Sequence, residues 1–354
     1  MISSIKIEAF RGVKEGQVDG MGPINILVGP NSSGKSTCLE AIALVGAAND
    51  AAEVVRLLLH RGGPALDALE HVVRAPAKES KLVVSLPNGE FFKCRLSVGG
   101  NKDADWEPER VEHAKSKGLK DEMKRVAISL AQTKSAKSEA PPNFLLSTYV
   151  DHQGRTLPLI EGNGFQPYAV QLVDVQTVRE RGTLEGAYTS IEKAGRVKSV
   201  VQALTRSMKG LTDLRILKSG EDFILHAIFD GQPPVPVYLT GDGSKRLVEL
   251  ASAILGVDPD GVVLLEEPEC FQHPRYLREL ASLLIESAKA KRQIILSTHS
   301  IELVDLLLEA AEAEGLDYPF VHRLRLVDGK LSGVVLNREQ AMVTRKDLLE
   351  DLRA

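Results

Sequence analysis

The sequence predicts an α/β fold in which a mixed sheet carries an antiparallel β subdomain and a helical lobe. Three observations predict it. Ile24-Asn25-Ile26-Leu27-Val28 has the composition of a short buried strand. It runs directly into the glycine-bounded loop Gly29-Pro30-Asn31-Ser32-Ser33-Gly34, and Lys35 onward reads as a helix with Leu39, Ile42 and Val45 on one face. Gly261-Val262-Val263-Leu264-Leu265 is a continuous apolar run that ends in Glu266 and Glu267, as expected of a strand covered on both faces of a parallel sheet. Ile294-Ile295-Leu296 repeats that pattern and ends in Ser297-Thr298-His299-Ser300.

The first loop fits G-x-x-x-x-G-K-[ST], the phosphate-binding P-loop, over Gly29 to Ser36. Gly29 and Gly34 let the backbone turn sharply and bring its N–H groups to a phosphate without Cβ clashes. The helix N-terminus adds partial positive charge beneath the same anion. Asn31, Ser32, Ser33, Gly34, Lys35, Ser36 and Thr37 are therefore the candidate nucleotide-binding residues. Lys35 is expected to reach the β- and γ-phosphates, and Ser36 to place its hydroxyl on Mg²⁺.

Composition narrows the class. The chain has 354 residues, 43% hydrophobic and 26% charged, which is ordinary for a soluble globular protein of about two lobes. A net charge of −4 gives no global basic character of the kind that announces nucleic acid. Cys38, Cys94 and Cys270 lie far apart with no C-x-x-C, which fits a reducing cytoplasm and argues against a disulfide framework or a zinc site. No apolar run reaches about 18 residues, so no membrane span is expected. The N-terminus lacks the apolar stretch of a signal peptide and reads as a strand instead.

The elements follow in order. Residues 2–10 alternate as a strand, with Ile5 and Ile7 on one face and Lys6 and Glu8 on the other; a second strand near Gln17-Val18-Asp19 completes a hairpin. Residues 51–60 predict a helix ended by Gly62-Gly63-Pro64, and 65–73 a further helical piece. Residues 81–98 predict a hairpin about Asn88-Gly89, a pair that supplies the positive φ angles of a tight turn. Residues 101–140 are crowded with charge, and predict one exposed helix over about 109–132 stopped by Pro141-Pro142. The default reading of that helix is a solvated face, and its heptads are too few for a long coiled coil. Strands are expected at 144–150 and 169–175, a helix over 187–209, and three strands within 213–240. The organisation is an N-terminal lobe with the P-loop (1–100), a charged helical insertion (101–142), a β-rich and helical lobe (143–240) and a C-terminal lobe (241–354).

The paired carboxylates divide their work. Phosphoryl transfer is driven by positioning and charge neutralisation. Glu266 is therefore expected in the Mg²⁺ shell, and Glu267 is expected to orient or polarise the attacking water. His299, at the tip of its strand, is placed to hydrogen-bond a γ-phosphate. Leu239-Thr240-Gly241-Asp242-Gly243-Ser244-Lys245-Arg246 is a glycine-rich turn opening a helix, which offers a second set of N–H donors.

Taken in order, the P-loop, Gly-Asp-Gly-Ser-Lys-Arg, Leu-Leu-Glu-Glu-Pro-Glu and Ser-Thr-His-Ser resemble a P-loop NTPase with an ABC-type ATPase head, of the SMC/RecF/OLD-like branch. The resemblance covers nearly the whole chain to about residue 336, and includes Glu267-Pro268-Glu269-Cys270-Phe271-Gln272-His273-Pro274. It implies ATP and Mg²⁺ as cofactors, and catalysis by Lys35, Glu267 and His299. It implies an ATP-dependent homodimer in which two heads pair head-to-tail, so that Gly241, Gly243 and Ser244 of one copy close on the nucleotide of the other. Arg11, in Ala9-Phe10-Arg11-Gly12, matches the family's N-terminal Phe-Arg pair and is expected near the nucleotide. A glutamine that senses Mg²⁺ and the γ-phosphate is implied too; Gln176 is the candidate, with Gln171 and Gln153 as rivals. The sequence departs from the family where Gly241 replaces the signature serine, and where Glu266 replaces an Asp found in many relatives. It also lacks a long coiled coil, and no Toprim nuclease segment is recognisable after 336.

Two functions are expected from this reading. One is an ATPase that dimerises on ATP and acts as a switch on DNA or on a partner effector such as a nuclease, in repair, maintenance or defence. The other is a nucleotide-sensing scaffold without turnover that controls a partner nuclease or toxin. A transporter's membrane cassette fits less well, because the N-terminal hairpin and the Glu-Pro-Glu stretch point elsewhere. DNA binding would draw on the Lys and Arg residues at 115, 117, 120, 124, 125, 134 and 137.

Overall fold

The computed structural model describes residues 1–99, 108–119, 123–135, 141–162, 167–174 and 183–353. The chain begins with a hairpin of β1 (Ser4–Phe10) and β2 (Val13–Val18), followed by β3 (Ile24–Val28) and α1 (Lys35–Gly46). Asp50 caps α2 (Ala51–Leu59) by accepting from the N–H groups of Ala52 and Glu53, and α3 (Ala65–Glu70) follows. Strands β4 (Glu79–Ser85) and β5 (Phe91–Gly99) form the expected hairpin.

The charged stretch departs from expectation. The single helix read over about 109–132 is instead α4 (Pro108–Ser116) and an eleven-residue strand, β6 (Met123–Thr133). The reason is a period of two: Val126, Ile128 and Leu130 are buried on one face, and β6 pairs with β5 and with β7 (Phe144–Asp151) on either side. Charge on the flanks masked that alternation. Lys115 lies on α4, whereas Lys124 and Arg125 lie on β6, so these cations do not share one helix face. Lys120 and Lys137 fall outside the described residues.

Strands β8 (Thr156–Gly162) and β9 (Val170–Val173) come next. The helix expected over 187–209 is divided into α5 (Thr183–Lys193) and α6 (Val197–Leu204). Gly195, at φ 68°, breaks it, because a left-handed residue cannot continue a right-handed helix. A separate three-stranded sheet holds β10 (Leu211–Ser219), β11 (Asp222–Phe229) and the short β12 (Val235–Pro236). The C-terminal lobe runs through α7 (Asp242–Gly256), β13 (Val262–Glu266), α8 (Pro274–Lys289), β14 (Gln293–Ser297) and α9 (Ile301–Ala313). It continues with β15 (Phe320–Val327), β16 (Lys330–Leu336) and α10 (Arg338–Lys346).

Among the described residues, thirteen strands form one mixed sheet in the order β8-β7-β6-β5-β4-β1-β2-β16-β15-β3-β14-β13-β9. Strands β15, β3, β14, β13 and β9 run parallel, and β8 through β2 are antiparallel. Helix α1 lies in one core, against β1 and the inner face of the antiparallel half; α7, α8 and α9 fill the other core with the opposite face of the parallel strands. Central strands covered on both faces explain the apolar runs at 26–28 and 262–265. Each fully buried Leu or Ile in them contributes about 1.5–3 kcal/mol. No helix among the described residues is long and apolar enough to cross a membrane.

Candidate active site

Parallel pairing aligns three strand ends. Ser297 of β14 stands opposite Glu266 of β13 on one side and Leu27 of β3 on the other. The P-loop, the Glu266-Glu267 pair and His299 therefore emerge at the same carboxyl edge, where open α/β sheets bind ligands. A cleft of about 340 Å³ opens there. It is lined by Asn31, Ser32, Ser33, Gly34, Lys35, Ser36 and Thr37, by Arg11 and Gly12 from the β1–β2 turn, and by Arg61, Glu267, His299 and Leu326.

The loop is shaped to meet an anion. Gly34 caps α1 at φ 94° with no side-chain cap, so the first N–H groups of the helix stay open toward the cleft. Ser33 Oγ is buried without a hydrogen-bond partner. Lys35 Nζ donates to the carbonyls of Gly29 and Pro30, at 3.0 Å each. Burial lowers the Lys35 pKa, while the charges of Glu267, Glu266 and Glu269 act to raise it. Arg11, Ser32 and Glu267, all lining the cleft, hold positive φ angles of 52°, 62° and 44°. Such conformations cost about 1–3 kcal/mol each in non-glycine residues and cluster at functional sites.

The two carboxylates occupy different surroundings. Burial raises the pKa of Glu266, and a hydrogen bond with the Ser36 side chain counters it. Glu267 is half-exposed, and its Oε1 stands 3.8 Å from His299 Nε2. The next carboxylate ties the loops together. Glu269 Oε1 accepts from Thr298 Oγ1 at 2.7 Å, from His299 N at 2.9 Å and from Ser300 N at 3.2 Å. One side chain thus fixes the loop after β13 to the loop after β14.

The remaining predicted residues fall elsewhere. Gly241, Gly243 and Ser244 open α7 and do not line the cleft. Gly241 is exposed at φ 93°, and exposed Tyr238, Leu239 and Phe271 belong to the same region, since the Phe271 carbonyl lies 3.2 Å from where a Cβ on Gly243 would sit. Gln176 lies outside the described residues. Gln171 lies in β9, where it pairs with Val263, and Gln153 lies in the β7–β8 turn; neither lines the cleft.

Sequence reasoning missed a buried charge cluster next to the cleft. Glu40, on α1, is 3% exposed. Its Oε2 accepts from Arg11 Nε at 3.1 Å; Arg61 Nε pairs with Oε1, and His60 Nε2 lies 3.4 Å from the same oxygen. The signal was a lone carboxylate within Cys38-Leu39-Glu40-Ala41-Ile42-Ala43-Leu44-Val45, a segment otherwise apolar. A charge there needs partners, although the sequence does not name them.

The parallel core, the P-loop and the paired carboxylates define a P-loop NTPase head with an AAA ATPase domain. The chain belongs to the family described as "AAA domain, putative AbiEii toxin, Type IV TA system", which matches residues 127–305, just over half of its length. A second family, "AAA ATPase domain", matches residues 1–89. Uncharacterized protein MJECL10 of Methanocaldococcus jannaschii is 22% identical over 231 residues, 64% of this chain and 95% of that one. The crystal structure of an SMC head bound to the C-winged helix domain of ScpA superimposes with a TM-score of 0.52 at 16% identity, covering 96% of this chain and 99% of that one. The SMC head domain from Thermotoga maritima gives 0.44 at 15% identity, over 95% and 98%. The first of these two structural likenesses speaks to the fold.

Proposed function

We propose that this protein hydrolyses ATP at the cleft, and that two copies close head-to-tail on the nucleotide to act as a switch on an effector protein. The observation that carries the hydrolytic reading is the convergence of Lys35, Ser36, Glu266, Glu267 and His299 at the aligned ends of β3, β13 and β14. The triphosphate fits the P-loop, because the open N–H groups behind Gly34 and the unpartnered Ser33 hydroxyl are donors in search of an acceptor. Lys35 supplies a fixed charge to the β- and γ-phosphates. Ser36 and Glu266 would hold Mg²⁺, which takes only one or two protein ligands when phosphate oxygens complete its shell. When bound, the ion neutralises charge on the phosphates.

Glu267 is the base. Its half-exposed carboxylate orients a water toward the γ-phosphorus and accepts the proton as the water oxygen bonds there and ADP departs. His299 hydrogen-bonds the γ-phosphate from the adjoining loop. Glu269 acts through these two, keeping their loops in register.

The second copy is supported by what the cleft lacks and the surface offers. The Gly241–Ser244 turn presents a helix N-terminus that does not line the chain's own cleft, beside exposed Tyr238, Leu239 and Phe271. An exposed apolar cluster of this kind marks an interaction surface. An effector protein is favoured over DNA, because the cations of the charged stretch are dispersed and partly paired: Lys124 Nζ lies 2.5 Å from Glu70, and Lys115 Nζ lies 3.4 Å from Glu112.

Phosphate release by the purified protein tests the hydrolytic reading. Wild type should turn over ATP, and Lys35→Ala should lose both binding and turnover. ATP binding with no phosphate release would overturn hydrolysis and favour the nucleotide-sensing scaffold.

A further inference from the structure

We propose that Arg353 is a positioning residue for His299, and that the segment following α10 is a strap that sets the geometry of the switch loop. The proposal rests on the ATPase reading above. Its starting point is a contact across 54 residues: Arg353 Nη1 donates to the backbone carbonyl of His299 at 2.9 Å. That carbonyl lies outside α9, whose N-cap is Ser300 and whose first helical bond is accepted by the Ser300 carbonyl. It therefore needs a partner from elsewhere, and Arg353 provides one. The His299 N–H is already committed to Glu269 at 2.9 Å. Both main-chain polar groups of this residue are thus fixed by distant side chains, one before it in sequence and one after.

The strap is itself anchored. Leu352 is fully buried, in the core that also holds α9. Arg345 grips Asp305 of α9 with two hydrogen bonds of 2.9 Å, and its Nη1 donates to the Glu350 carbonyl at 2.8 Å. Asp351 receives Arg353 Nε at 2.9 Å and Nη2 at 2.6 Å, which orients the guanidinium and leaves Nη1 for His299. A shift of the His299 backbone would change the 3.8 Å separation between its ring and Glu267, on which the proposed chemistry depends. The Arg353 side chain is 41% exposed, so its removal opens no core cavity.

Steady-state kinetics of Arg353→Ala and Arg353→Lys, with amide hydrogen exchange over residues 298–303, test the proposal. The kcat of the alanine variant should fall about ten- to a hundredfold, the range that misplacing a catalytic group produces. KM for ATP should change far less than kcat, because the P-loop carries most of the ground-state binding and loses no contact. The lysine variant, or millimolar guanidinium added to the alanine variant, should recover part of kcat, and exchange at His299 and Ser300 should accelerate in the alanine variant. An alanine variant with wild-type kcat and exchange overturns the proposal, as does a loss confined to KM. Should wild type itself release no phosphate, the ATPase reading fails, and the exchange comparison alone decides whether the strap holds the loop.

Discussion

Nε2 of His299 stands 3.8 Å from Oε1 of Glu267, each side chain delivered by the end of a different parallel strand. The separation leaves both groups facing the same cleft, and neither is buried. Glu267→Gln keeps the shape and removes the proposed base. Turnover should drop by about a hundredfold or more, the usual contribution of a general base, while ATP affinity by equilibrium titration stays near that of wild type. A variant that hydrolyses at the wild-type rate would assign the base elsewhere.

Glu40 should matter for stability out of proportion to its distance from the chemistry. It is the shared counter-charge of Arg11 and Arg61. Glu40→Ala leaves the Arg11 guanidinium, whose side chain is 11% exposed, without its carboxylate. Breaking a buried pair by removing one partner costs about 3 kcal/mol. A urea midpoint lowered accordingly is the expected result. An unchanged midpoint would mean that the cluster is solvated well enough to need no counter-charge.

How much of this was legible beforehand follows from where the information sits. The P-loop and both polar strand ends could be read because their chemistry is local: a glycine pattern, an apolar run, a terminal pair of carboxylates. Strand β6 was obscured because Val126, Ile128 and Leu130 alternate within a segment whose flanks are charged, and composition outweighed period. The split between α5 and α6 rests on one residue, Gly195. The contacts of Glu40 with Arg61, of Glu269 with His299 and of Arg353 with His299 span 21, 30 and 54 residues. No periodicity encodes such pairings; they exist only once the sheet has set its strand order.

His322 gives the fold a pH dependence of known sign. Its ring is 2% exposed, with Nε2 3.3 Å from Asn25 Oδ1, and burial lowers its pKa from 6.5 to about 4. Below pH 6.5 the unfolded chain takes up a proton that the folded chain refuses. Stability is therefore complete above that pH and falls through the window down to about 4. At pH 5 the loss from this residue should be about 2 kcal/mol. Denaturant titrations at pH 7 and pH 5 check it, and His322→Gln should shrink the difference between them by that amount.

Solution mass of Glu267→Gln, measured by light scattering with and without ATP and Mg²⁺, tests the central claim most directly. The chain weighs 38.5 kDa. The hydrolysis-blocked protein should move to twice that mass when nucleotide is added, and return to a single copy when it is removed. A protein that holds ATP yet stays at the mass of one chain at every concentration would contradict it.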